Sequence, residues 1–278
     1  MKFFTAGVLL VCVVCFVGCG GNEVSEDNSS TPAKFQPSST PQQSPAASPS
    51  HPNLQSEILD DRFKKANSPI GGVDFKNYTY PLPHGWQNPD GSDLTLTDGK
   101  LAPVGGDTDI GMDPDEAAAA KSQRRIGATF VTTRYFDVTG DGQDEALVII
   151  KIETFGSAVP QIVYIYTYKD DHPELIWYFR TGDRADGGLK DLRPEDGNLL
   201  VELYGQDRFL LGGIETSKIT DDFEQICCPT YFTRSLYKWT GRNFQMQGKR
   251  LTFSVADPKA PPQENLGDVV NNPKKTGK

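Results

Sequence analysis

The stretch that decides the fold runs Thr129-Phe130-Val131-Thr132-Thr133-Arg134-Tyr135-Phe136, then Asp137-Val138-Thr139-Gly140-Asp141-Gly142-Gln143-Asp144-Glu145, then Ala146-Leu147-Val148-Ile149-Ile150-Lys151-Ile152-Glu153. Two runs rich in β-branched and aromatic residues flank an acidic, glycine-bearing turn, the pattern of an antiparallel hairpin. In the second run Val148, Ile150 and Ile152 share one face, and Leu147 and Ile149 share the other. A strand apolar on both faces belongs in the middle of a sheet that is covered on each side.

Outward from this hairpin, strand signals recur at Val73–Tyr80, Leu94–Thr97, Ile162–Lys169, Leu175–Arg180, Leu199–Tyr204, Phe232–Trp239 and Phe244–Val255. Turn signals stand among them at Asp98-Gly99, Asp141-Gly142, Asp170-Asp171-His172-Pro173, Asp196-Gly197 and Thr240-Gly241. Connections this short leave no room for crossover helices, so the sequence predicts a mainly β (α+β) domain built as an antiparallel meander or sandwich-like sheet. Two short helices complete it. Leu54–Ala66 spaces Asp60/Lys64 and Asp61/Lys65 for helical ion pairs. Pro114–Ile126 has Asp113 as N-cap, Pro114 in the first turn and Glu116 for a capping box, with Lys121, Arg124 and Arg125 at its end. Propellers and solenoids are disfavoured, because no internal repeat of about 20–50 residues is visible.

The ends of the chain read differently. Met1-Lys2 precedes the apolar run Phe3–Val17, the charge-then-apolar order of an export signal. That run is shorter than the roughly 20 residues a membrane span needs. Phe16-Val17-Gly18-Cys19 resembles the lipobox of bacterial lipoproteins, with Phe16 where that family favours Leu. The resemblance implies a signal peptide of residues 1–18, diacylation of Cys19 and a membrane-anchored location in the bacterial cell envelope. Gly20 in place of Asp points to the outer membrane or the cell surface. Residues 19–53 then form a Ser/Pro-rich tether, too poor in apolar surface to offset chain entropy and expected to stay disordered. Residues 54–256 are expected to form one β-rich domain, and residues 257–278 a polar, disordered tail.

Charge narrows the partners. Lys and Arg number 28 against 37 Asp and Glu, a formal net charge of −9, which argues against binding nucleic acid. Three His in the whole chain leave little material for His-based catalysis. Nucleophile elbows, HExxH and repeated CxxC motifs are absent from the sequence, and His51, His84 and His172 stand beside prolines. Cys12 and Cys15 lie inside the signal, so the mature chain keeps Cys19 and the adjacent pair Cys227-Cys228. In an oxidising compartment that pair can form a vicinal disulfide, whose eight-membered ring departs from ordinary bridge geometry. A redox or metal role would need a nearby His or third Cys, so the structural reading is preferred over the reactive one.

The loop from Asp137 to Glu145 carries the sharpest chemistry. Oxygen-bearing side chains occur at its first, third, fifth and ninth positions, and Gly142 stands at the sixth. Such alternation lets a short loop curl its oxygens around a hard cation, with the Gln143 carbonyl as a further ligand. The segment resembles the calcium loops of FG-GAP and related bacterial D-x-[DN]-x-D-G repeats. That resemblance implies Ca2+ held by Asp137, Thr139, Asp141, Gln143 and Glu145, the alternative being an acidic turn without metal. Thr139 replaces the usual Asn or Asp, and a single copy is present. More broadly, Asp74–Tyr80, the Asp137–Ala146 segment, Gly182–Gly188, Cys227-Cys228-Pro229 and Tyr237–Phe244 resemble segments of uncharacterised exported bacterial proteins, many of them lipoproteins; that family implies no activity.

Two further features invite a binding reading. Gly182–Gly188 carries Asp183, Arg184 and Asp186, and reads as a ligand loop or, preferably, as a glycine-rich connection between strands. Tyr164, Tyr166 and Tyr168 alternate onto one face, as do Trp177 and Phe179; such stripes stack on sugars or partners, or more often form half-buried core. The expected function is a lipid-anchored cell-envelope binding or structural module, stabilised by calcium and without catalysis, with an envelope protein or glycan as its partner. The alternative is an envelope glycan hydrolase using paired carboxylates, with Glu145, Asp183, Asp186 and Glu202 as the acids to test.

Overall fold

A computed structural model describes residues 57–82, 88, 91–105, 112–154, 159–183, 186–217 and 228–264. The chain divides into two units, residues 1–48 and 49–278, and every described residue lies in the second. The expected signal peptide, Cys19, the tether, His51, His84, Cys227 and the chain beyond Glu264 lie outside the described residues.

After a 3₁₀ turn at Pro69–Gly72 come β1 (Thr79–Tyr80), β2 (Leu94–Thr95), β3 (Lys100–Leu101) and the helix α1 (Pro114–Ser122). The long strands follow as β4 (Gly127–Phe136), β5 (Glu145–Glu153), β6 (Gln161–Lys169) and β7 (His172–Arg180). Then come β8 (Leu189–Glu195), β9 (Asn198–Tyr204), β10 (Arg208–Leu211) and β11 (Ile214–Ser217). The chain continues through β12 (Tyr231–Trp239), β13 (Phe244–Ser254) and β14 (Gln263–Glu264). One sheet has seven strands in the order β10-β11-β7-β6-β5-β4-β3, a second has five in the order β14-β13-β12-β9-β8, and β1 pairs with β2 alone. The molecule is therefore mainly β. Among the described residues every strand pairing is antiparallel except a single parallel contact of β11 with β7, at Ile214 and Arg180.

The strand β5 lies in the middle of the larger sheet, and Ala146 to Ile150 are fully buried on both faces. Leu147 and Ile149 join Val163, Ile165 and Phe179 against Leu192, Leu199, Val201 and Leu203 of the smaller sheet, forming the core between the sheets. Val148, Ile150 and Ile152 join Tyr164 and Tyr166 on the opposite face, covered by Ile70, Phe75, Tyr80, Leu94 and Leu96. The tyrosine stripe is thus core: Tyr164 is fully buried, its hydroxyl donating to the Pro81 carbonyl at 2.7 Å.

Several expectations need correction. Residues 57–66 form turns, not the continuation of a helix from Leu54. Asp60 pairs with Arg62 and Arg134, Lys64 donates to the Thr132 hydroxyl, and Phe63 has a left-handed φ of 61°, so tertiary partners displace the helical ion pairs. The segment Val73–Tyr80 is extended only at Thr79–Tyr80, because Asp74 folds it into a turn by accepting from Lys76 N–H and the Asn77 side chain. The helix predicted to Ile126 stops at Ser122; Arg125 instead exchanges backbone hydrogen bonds with Val104, and Gly127 already belongs to β4. Its N-cap is as expected, with Asp113 accepting from Asp115 N–H at 2.8 Å. Residues 257–264, assigned above to a polar tail, include β14 paired along Leu251-Thr252 of β13.

Candidate functional site

Phe136 and Val138 are buried at the mouth of the β4–β5 turn, and anchor the loop that follows in the core between the sheets. From that anchor the four acidic residues are each arranged differently. Asp137 turns inward, Oδ1 accepting from the N–H groups of Thr139 (3.1 Å) and Gly140 (2.6 Å), and Oδ2 from Gly142 N–H (2.9 Å). Gly140 and Gly142 have φ values of 82° and 86°, left-handed positions that curl the backbone around this carboxylate. Glu145, on the first residue of β5, is fully buried. Its Oε2 accepts from Val138 N–H at 2.8 Å, and its Oε1 from the Thr139 hydroxyl at 3.2 Å.

Burial pushes the Glu145 carboxyl up to about 7, against the pull of the Val138 amide and with the charges of Asp141 and Asp137 adding to the rise. Asp141 is exposed and accepts from Gln143 N–H at 2.8 Å. Asp144 faces away: it accepts from Asn67 N–H and donates its own N–H to the Asn67 side chain, pinning the 67–68 segment to the loop. Of the five expected ligands, Thr139 is hydrogen-bonded to both Asp137 and Glu145, while Asp141 and Gln143 stand exposed on the rim. The donors are all oxygen, which suits a hard cation. Among the described residues, no group of three or more His, Cys, Asp or Glu is gathered closely enough to hold a metal ion by those side chains alone.

Beside the loop lies an open cleft of about 560 Å³, which sequence reasoning did not foresee. The loop contributes Asp141 and Gln143, the β6–β7 hairpin Thr167, Lys169 and Ile176, and the β12–β13 turn Trp239. Asp170 and Asp171, with φ values of 49° and 62°, make the two-residue turn that joins β6 to β7. The signal available in the sequence was the spacing of the turns. Alternate hairpins of a meander end on the same side, which puts Asp141-Gly142 beside Asp170-Asp171. That the Thr240-Gly241 turn comes to the same end depends on how the second sheet is laid on the first.

The other acids are scattered. Glu202 is buried on β9 and bonded by Lys190 and Arg234, each at 2.5 Å; burial opposes ionisation, but these cations hold its carboxyl below the usual range. Asp186 is exposed and paired with Arg208, which also holds half-buried Glu215 at 3.2 Å. Burial raises the Glu215 carboxyl despite Arg208. Asp183 and Asp186 bridge each other through their backbones, so the described part of Gly182–Gly188 connects β7 to β8. Cys228 is half-buried just before β12. Compared with family models, with curated proteins and with solved structures, the chain shows no match.

Proposed function

We propose that this chain is a lipid-anchored binding module of the bacterial cell envelope, without catalysis, whose β4–β5 loop takes up calcium. The observation that carries the binding reading is the open cleft where a half-buried tryptophan, Trp239, meets the acidic loop and the β6–β7 turn. A cleft of this volume falls within the usual range of ligand sites. Anchoring is supported by the Phe16–Cys19 pattern, and the distance from the membrane by the Ser/Pro-rich tether after it. Asp137, Thr139, Asp141, Glu145 and the Gln143 carbonyl would hold the calcium ion, which would neutralise a loop carrying Asp137, Asp141, Asp144 and Glu145 within nine residues.

A binding role is favoured over glycan hydrolysis by the placement of the acids. Paired-carboxylate chemistry needs two carboxyl groups across one cleft, roughly 5–10 Å apart. Glu202 is instead bound in a cluster of cations, Glu145 is turned into its own loop, and Asp186 is paired with Arg208. The test is recovery of the intact lipoprotein from its own envelope in mild detergent, with the N-terminus read by mass spectrometry. A diacylated Cys19 and a reproducibly retained envelope component are expected. Chain cleavage of purified envelope polysaccharide by the protein, or an unmodified N-terminus elsewhere, would overturn the proposal.

A further inference from the structure

We infer that the cleft between the Asp137–Glu145 loop, the β6–β7 hairpin and Trp239 is a site for a neutral oligosaccharide; the inference deepens the binding reading above and rests on it. Trp239 supplies the apolar surface. One side of its indole packs on Phe244, with ring centroids 5.0 Å apart at 48°, and Phe244 in turn packs on Trp177 at 4.9 Å. The ring is therefore held in place before any ligand arrives, and half-buried Ile176 extends the same wall. A preorganised aromatic surface loses little conformational entropy on binding.

The rest of the lining is polar and of mixed character. Thr167 offers a hydroxyl, Gln143 an amide, Asp141 a carboxylate and Lys169 an ammonium, so donors and acceptors stand together around the apolar wall. A pyranose ring presents the matching surface, with C–H groups on one face and hydroxyls, each both donor and acceptor, around its edge. Other ligand classes fit worse. A phosphate or polyanion would meet Asp141 and a single cation, Lys169, which already faces Glu174 at 3.7 Å, on a chain of net charge −9. A lipid chain needs a wall that is apolar all round. A peptide that adds as a strand needs a free edge, but β6 is paired on both sides by β5 and β7, and β7 by β6 and β11.

The test is titration calorimetry of the intact lipoprotein in detergent micelles with cellotetraose, maltotetraose and chitotetraose, and separately with a proline-rich peptide. Wild type, Trp239→Ala, Gln143→Ala and Thr167→Val are compared. Gln143 is exposed, and alanine there keeps the backbone carbonyl, so that variant leaves core and loop intact. Binding of at least one tetrasaccharide is expected, weakened about tenfold by Trp239→Ala, the scale of a lost aromatic contact, and severalfold by Gln143→Ala at unchanged melting temperature. Tetrasaccharide binding untouched by these variants, no tetrasaccharide binding, or binding of the peptide instead overturns the assignment. If the sugars fail but the lipoprotein still retains an envelope component, only the ligand class falls; if neither is seen, the binding reading falls with it.

Discussion

Arg134 of β4 donates through Nη1 to Asp191 Oδ1 of β8 at 2.7 Å, so the two sheets are joined by a buried ion pair. Arg134 is fully buried, lies 5.3 Å from the Phe63 ring centre, and also bonds the Glu57 carbonyl and Asp60. Burial lowers its pKa against the pull of Asp191 and Asp60, yet the guanidinium stays charged at any physiological pH. Its role is to tie the 57–63 segment and both sheets to one point.

Removing one partner of such a pair should cost more than removing both. Arg134→Ala is expected to destabilise by about 3–5 kcal/mol in urea unfolding, because it leaves Asp191 and Asp60 short of a cation and opens a cavity. Arg134→Met with Asp191→Leu should lose less than the sum of the single changes. Additive losses would mean the pair is not coupled.

The calcium reading gives a prediction that separates two loop acids. Millimolar Ca2+ should raise the melting temperature of wild type. Asp141→Ala should abolish the rise while leaving the calcium-free protein folded, since Asp141 accepts only one loop amide, that of Gln143. Asp137→Ala should lower the melting temperature with or without calcium, because Asp137 organises three loop N–H groups. Identical curves for wild type in calcium and in chelator would reduce the loop to an acidic turn.

In chelator, the buried Glu145 gives the pH dependence a definite sign. Its folded pKa, about 7, lies above its ordinary value of 4.5, so between these limits the folded state binds the proton more tightly than the unfolded chain. The contribution is fully present below the unfolded value and is lost as pH rises through the folded one. Wild type should therefore gain stability from this group as pH falls from about 7 toward 4.5. Glu145→Gln should remove that slope, and a chelator-treated variant with the wild-type pH profile would contradict the assignment to Glu145.

The glycine-rich connection is sequence-restricted for a packing reason. Gly187 has φ of 80°, and a Cβ on it would sit 2.5 Å from both Glu215 carboxylate oxygens. Gly187→Ala should destabilise by about 2 kcal/mol or more, combining overpacking with the left-handed backbone. In a double-mutant cycle with Glu215→Ala the two losses should be less than additive, since the clash disappears and the backbone cost remains. Full additivity in chemical denaturation would show that the carboxylate is not the obstacle.

The long strands were legible because their pattern is local. In Ala146–Glu153 both faces are apolar, and only a central strand can bury both, so the position of β5 follows from its residues. The turn at Asp170-Asp171 was legible too, but His172 and Pro173, read as part of it, already pair with Lys169 and Tyr168 as the start of β7. By contrast, β8 (Leu-Lys-Asp-Leu-Arg-Pro-Glu) was invisible as a strand. It tolerates Pro194 and its charges because it is the edge of the smaller sheet, and buried Asp191 is paired there by Arg193 of its own strand and by Arg134 from the other sheet. The 57–66 segment gave helical spacing in sequence, but its charges found Arg134 and Thr132 instead. The sequence by itself determined the oxygen donors of Asp137–Glu145 and their turn. Tertiary structure decided that Glu145 is the buried acid and that Asp141 stands beside Trp239, nearly a hundred residues further along the chain. Side-chain spacing within a strand or turn is fixed by covalent geometry, whereas the meeting of these turns depends on how one twisted sheet packs on another.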